Sequence, residues 1–268
     1  MIQKIAAQIR SLIGRRRPET AIILGSGLGA LADEITDSVS ISYADIDGFP
    51  QSTVQGHGGK LIIGRLENKE ILSMQGRFHL YEGHKPQVIN TVIKAFQLLG
   101  IKNLIVTNAA GSLNPEFAPG SLMLINDHIN FSGTNPLIGP NDDRYGPRFP
   151  GMTDAYTAEW RHKIKELAAE RNIPLNEGVY LWALGPCFET AAEIKMFRLL
   201  GGDAVGMSTV PEVICAAHSG MKVLGISVIT NYGTGMNHSM PSHEETLREG
   251  QKAAADLTAL IKAFIGEL

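Results

Sequence analysis

Ile2, Ile5, Ile9 and Ile13 recur at helical spacing, which predicts an amphipathic first helix packed on a core. Short β-branched runs follow at 21–24, 39–42, 61–63, 104–107, 122–125, 179–181 and 223–230, and helical patterns alternate with them. The clearest helix lies between Pro86 and Gly100, where Val88, Val92, Ile93, Phe96 and Leu99 share one face between an initiating proline and a terminating glycine. Others are expected at about 154–172, 190–200, 210–219 and 243–266. The alternation predicts an α/β fold: a single domain over 1–268, with a mixed, twisted β-sheet flanked by helices. The stretch 132–151, rich in Gly, Pro and Asn, interrupts the pattern as a long loop of the kind that is functional or interfacial.

Composition narrows the partners. A length of 268 residues suits one α/β domain, and 44% hydrophobic and 19% charged residues with a net charge of −3 describe an ordinary globular chain. Without a basic excess, nucleic acid is not an expected partner, and no uncharged apolar run is long enough to make a membrane one. Cys187 and Cys215 stand without a secretory apolar segment ahead of them, which points to two thiols in a reducing cytoplasm. The Arg15-Arg16-Arg17 run reads as cations at the C-terminal dipole of the first helix rather than as a transit signal.

Candidate chemistry begins at Arg77, His79 and Tyr81, which alternate after the apolar stretch 71–74 and so share one face if the chain stays extended. A guanidinium fork, an imidazole and a phenol side by side suit an anion with a sugar or ring beside it, although a solvated strand end could carry the same residues. Gly25-Ser26-Gly27-Leu28-Gly29 follows the first strand and offers backbone N–H groups to a phosphate. The same loop fits a dinucleotide pattern through Gly25, Gly27 and Ala30, with Asp45 and Asp47 near the place of a ribose-binding acid. It is neither a Walker loop nor a nucleophile elbow, since Leu24 occupies the elbow's first glycine position.

Three later junctions carry capping-box patterns at Thr190 to Glu193, Thr209 to Glu212 and Ser242 to Glu245. They place Glu189, Met207-Ser208 and His243 at helix starts, where open α/β sheets gather ligands. Thr107-Asn108-Ala109-Ala110-Gly111 and Ile229-Thr230-Asn231 are polar-then-small strand exits that fit either a ligand's close approach or a plain turn. The His and Cys spacings do not read as a metal site, so the chemistry is expected to be organic.

Taken together, Gly-Ser-Gly-Leu-Gly at 25–29, Gly-His-Gly at 56–58, Gly-Arg-Phe-His-Leu-Tyr-Glu-Gly at 76–83, Thr-Asn-Ala-Ala-Gly at 107–111, Gly-Pro-Cys-Phe-Glu-Thr at 185–190, Gly-Met-Ser-Thr-Val-Pro-Glu at 206–212, Ile-Thr-Asn at 229–231 and Ser-His-Glu-Glu at 242–245 resemble the trimeric, low-molecular-mass class of purine nucleoside phosphorylase. The match extends over nearly the whole chain. It implies a phosphorylase/hydrolase-like sheet and a homotrimer that takes a purine nucleoside and phosphate, with inorganic phosphate as co-substrate and no cofactor or metal.

Carried over position by position, the resemblance implies phosphate binding by Ser26, His57, Arg77, His79, the Ala109 backbone and Ser208. It implies ribose contacts from Tyr81, Met207 and His243, purine contacts from Phe188, Glu189 and Asn231, and Phe149 lent to a neighbouring subunit's site. His79, Glu189, Asn231 and His243 would then carry the catalysis. Departures are small: Ser112 stands where relatives often have Gly, Cys187 lies at a variable position, and Tyr232 replaces a Lys common in mammalian members.

The reaction so implied is reversible phosphorolysis of inosine, guanosine and their deoxy forms, within purine salvage. Asn231 would donate to the 6-oxopurine and Glu189 accept from N1–H. The alternatives are a methylthioadenosine phosphorylase, an NAD-dependent oxidoreductase built on the 25–30 loop, and a nucleoside-binding module without catalysis.

Overall fold

The computed structural model describes residues 1–53, 58–237 and 242–268, and of His243 and Glu245 the backbone alone. Its elements in chain order are α1 (Ile2–Ile13), β1 (Thr20–Leu24), α2 (Ala30–Asp33), β2 (Thr36–Ser42), β3 (Lys60–Leu66), β4 (Lys69–Gln75), α3 (Gln87–Leu99), β5 (Asn103–Ser112), β6 (Leu122–Asn130), α4 (Ala158–Glu170), β7 (Leu175–Trp182), α5 (Ala191–Leu199), β8 (Ala204–Gly206), α6 (Val210–His218), β9 (Lys222–Tyr232) and α7 (His243–Glu267).

All nine strands among the described residues join one mixed sheet, ordered β2-β3-β4-β1-β5-β8-β7-β6-β9 with a further β5–β9 pairing. That extra pairing closes β5, β8, β7, β6 and β9 into a ring, from which β1, β4, β3 and β2 extend as an open arm. The α/β class and flanking helices are as the sequence predicts; the closure is not visible there, because it depends on long-range pairing.

β1 is buried along its whole length, so its side chains show no polar alternation, as a strand covered on both faces requires. Ala21 and Ile23 belong to the cluster that α1, α3 and α6 pack against, while Ile22 and Leu24 belong to the one under α2, α4 and α7. Each fully buried side chain of this kind contributes about 1.5–3 kcal/mol from apolar transfer. α3 ends where expected: Gly100 takes φ +98° and its N–H closes on the Phe96 and Gln97 carbonyls, a left-handed cap that a side chain would strain.

Two strands differ from the sequence reading. The stretch 71–74 lies within a full strand, β4, that pairs with β1 and β3, and β8, only three residues long, has no periodicity to betray it. The 132–151 segment contains turns but no helix or strand, and α3 holds it in place. The amides of Gln87 and Gln97 donate to the carbonyls of Ile138 and Tyr145 at 3.1 Å each, and the Lys94 ammonium lies 5.0 Å from the Tyr145 ring centroid.

Candidate active site

The ends of β1, β4, β5, β8 and β9 surround a cavity of about 320 Å³, a size suited to a small ligand. Gly25, Ser26, Arg77, His79, Tyr81, Ala109, Phe188, Glu189, Met207, Ser208 and Asn231 all line it. Residues spread across most of the chain thus meet in one place.

At the β1 exit, a Cβ on Gly25 would stand 2.7 Å from the Asn108 Cα, so this glycine is required by the neighbouring strand β5 itself. The Gly25 N–H donates to Thr107 Oγ1 at 3.1 Å, which ties the loop to β5. After β4 the backbone stays extended through His79 and then turns in a short 3-10 segment over Leu80–Glu82. Phe78 points into the core while Arg77 and His79 face the cavity, as alternation requires, whereas Tyr81 is delivered by the turn. Its ring stacks on the His79 imidazole at a centroid distance of 4.6 Å and 16° between planes.

Glu82 organises this corner. It accepts from the His79 and Thr53 backbone N–H groups at 2.7 and 2.6 Å and lies 3.3 Å from His79 Nδ1, a capping box with no Ser or Thr to signal it. Burial pushes its carboxyl up, but the hydrogen bonds from His79 and Thr53 outweigh that and bring it down to about 2. Burial likewise depresses the His79 imidazole, against the pull of its Glu82 hydrogen bond and with the help of the Arg77 charge. His79 therefore stands neutral at pH 7, a donor or acceptor rather than a fixed cation. Burial pushes the Tyr81 phenol up to about 12.

Arg77 is 1% exposed. Its Nε donates to Glu212 at 3.0 Å and one terminal nitrogen to the Thr107 carbonyl at 2.8 Å, so part of the fork is committed to the protein. Glu212 is a correction to the sequence reading, which places it in a capping box with Thr209. No side-chain cap forms at Thr209, and Glu212 turns inward instead. Thr209 adopts φ +73° and ψ −54°, and the Val210 N–H donates to the Ser208 carbonyl at 2.8 Å, a strained γ-turn for a β-branched residue. The Asn108 amide holds it by donating to Thr209 Oγ1 at 2.9 Å, which sets Ser208 at the cavity wall. The Thr190 box forms as expected, with a 3.2 Å bond from the Glu193 N–H to Thr190 Oγ1. That of Ser242 involves Glu245, whose side chain lies outside the described residues.

The other end of the cavity is built by β9 and the loop before α5. The β5–β9 register shifts between Ala110 and Gly111, so Thr230 is an extra residue and Asn231 is turned toward the cavity. Thr230 Oγ1 lies 3.0 Å from Asn231 Oδ1, and Asn231 Nδ2 donates to the Tyr232 carbonyl at 3.0 Å. Gly111 leaves the room this amide needs, as a Cβ there would stand 3.2 Å from Nδ2. Burial raises the Glu189 carboxyl above its ordinary value, opposed by a bond from its own backbone and aided by nearby Glu193.

His57 lies outside the described residues; His243 opens α7, but its side chain is also outside them. Phe149 is 86% exposed and does not line its own chain's cavity. It borders a separate surface depression with Leu137, Ile138 and Ile214. Thr246 lines the cavity and was missed, although it falls one turn beyond His243 on the same helix. Glu212 carried no sequence signal that distinguishes it from a cap.

The family model described as the phosphorylase superfamily matches residues 19–266. Purine nucleoside phosphorylase 1 of Bacillus subtilis is 48% identical over 99% of this chain and 98% of its own length. The chain belongs to the purine nucleoside phosphorylases of this superfamily. Purine nucleoside phosphorylase of Rattus norvegicus is likewise 48% identical, over 98% of this chain and 93% of its own. The Schistosoma mansoni enzyme solved in complex with inosine superposes with a TM-score of 0.94 at 39% identity, covering 100% of this chain and 96% of that one. Membership in this family replaces the oxidoreductase reading of the glycine loop and favours nucleoside phosphorolysis over the methylthioadenosine alternative.

Proposed function

We propose that the protein catalyses reversible phosphorolysis of 6-oxopurine ribonucleosides and deoxyribonucleosides, inosine and guanosine among them, to free base and (deoxy)ribose 1-phosphate. One observation carries this reading: side chains able to bind an anion (Arg77, His79, Ser208) and side chains able to recognise a base (Glu189, Asn231) line a single cavity of about 320 Å³. Phosphate sits against Ser26, His57, Arg77, His79, the Ala109 backbone and Ser208. Ribose lies over Tyr81 and Met207 with its 5′-hydroxyl at His243, and the base meets Phe188, Glu189 and Asn231.

Phosphate attacks C1′ as the glycosidic bond breaks, and its negative charge stabilises the positive charge developing on the sugar. Asn231 donates to the base as negative charge gathers there, and the Glu189 carboxylate accepts from N1–H. Held geometry supplies much of the rate, with no covalent intermediate on the enzyme, no cofactor and no metal.

The protein works as a homotrimer in the cytoplasm, in purine salvage. Among the described residues no helix is long and apolar enough to cross a membrane. The exposed Phe149, on a loop anchored by α3, supports a site completed by a neighbouring subunit. Hypoxanthine release from inosine with and without phosphate tests the reaction, and equal release in phosphate-free buffer would refute it. Light scattering tests the trimer. Mixing Phe149→Ala with Glu189→Gln subunits should restore activity, because a mixed trimer contains a site with both residues intact.

A further inference from the structure

We propose that Glu212 is a positioning residue for phosphate, acting through Arg77. The inference rests on Arg77 binding phosphate, as argued above, and goes beyond it. Glu212 lies in the first turn of α6, a place where a glutamate ordinarily faces water and the helix dipole. Here its side chain is 5% exposed and meets a guanidinium 1% exposed, at 3.0 Å, across 135 residues of chain.

A buried ion pair is weak evidence for stability, since desolvating two charges offsets their attraction. Its geometry is the stronger clue. A guanidinium is a rigid planar fork on a flexible stem, so two anchors fix its plane. The Glu212 carboxylate of α6 anchors Nε and the Thr107 carbonyl of β5 anchors one terminal nitrogen, from two different elements. Arg77 also lines the cavity, so the two anchors set the plane of the guanidinium at the cavity wall. The carboxylate also balances a cation that would otherwise lie buried whenever phosphate has left.

The test is steady-state kinetics with phosphate and inosine varied separately. Glu212→Leu removes the anchor and should raise the phosphate KM roughly ten- to hundred-fold, the loss expected when a charge-assisted bond is misaimed, while the inosine KM moves far less. Glu212→Gln keeps an oxygen for Nε and should recover most of the loss. A Leu variant that melts earlier yet keeps its phosphate KM within about two-fold would show a purely structural pair and overturn the proposal, as would parallel rises in both KM values.

If the Leu variant does not fold, Glu212→Asp decides. It keeps the charge but withdraws the acceptor by one methylene, so a raised phosphate KM supports the proposal and an unchanged one overturns it. Arg77→Lys separates the two layers. If it leaves the phosphate KM unchanged, the parent reading of Arg77 fails; if it raises that KM while no Glu212 variant does, only the role of Glu212 fails.

Discussion

Arg77 and Ser208, at the proposed phosphate end of the cavity, are 1% and 7% exposed, while Phe188 at the base end is 44% exposed. Arg77 is bonded to Glu212 and to the Thr107 carbonyl, and Ser208 is set by a γ-turn at Thr209 that the Asn108 amide pins. Phe188 and Glu189 instead sit on the loop that leads from β7 to α5. The contrast teaches that the two halves solve different problems. An anion needs donors held in place before it arrives, because reorienting dipoles during reaction costs rate. On its loop side a planar base can be gripped by a more open wall, with the buried Asn231 held separately on β9.

Substitutions can break that comparison. The largest effect should come from Arg77→Ala, which strands Glu212 as a buried, uncompensated charge and should cost about 3–5 kcal/mol of stability in urea unfolding. Glu189→Gln should stay within about 0.5 kcal/mol by the same measurement. Equal losses would erase the distinction between a cross-linked end and an open one.

Asn231→Ala comes next. Asn231 is 6% exposed and aimed by the Thr230 bulge, and losing its donor should lower kcat by about 10²–10³, or about 2.7–4 kcal/mol. A loss of less than about ten-fold would place the donor to the base elsewhere.

Glu189→Gln should lower kcat/KM for inosine by about 1–3 kcal/mol, since the amide presents a donor where N1–H also donates. The pH profile sharpens this. Burial raises the Glu189 pKa, so its carboxylate is lost as pH falls through a value above the ordinary 4.5, and kcat/KM should fall with it. The Gln variant should lack that acid limb; a limb that persists unchanged belongs to another group.

Phe188→Ala should have the smallest effect, raising the nucleoside KM by about 0.5–1.5 kcal/mol with no change in the phosphate KM. A shift in the phosphate KM would mean that the two ends are coupled through this ring.

Much of the fold and site was legible because its signals are local. The helix on Val88, Val92, Ile93, Phe96 and Leu99 needs only its own spacing and Gly100. Arg77 and His79 share a face because the backbone between them is extended, and Glu189 precedes a helix whose capping box forms as read. Where several residues could satisfy one local rule, reading failed. Thr209 to Glu212 has the letters of a capping box, yet Glu212 is drawn inward by the Arg77 guanidinium, two residues beyond the end of β4. His79 to Glu82 lacks those letters, yet forms one.

The chain by itself determined the α/β alternation, the helix faces and the residue types brought to the cavity, because periodicity and capping act over a few residues. The tertiary structure alone decided the closure of β5, β8, β7, β6 and β9 into a ring, the strand identity of Ala204–Gly206 and the partner of Glu212. Each of these depends on contacts between segments far apart in sequence. Burial there makes an unpaired polar group so costly that it takes whatever partner the fold brings near, whatever its local sequence would have chosen.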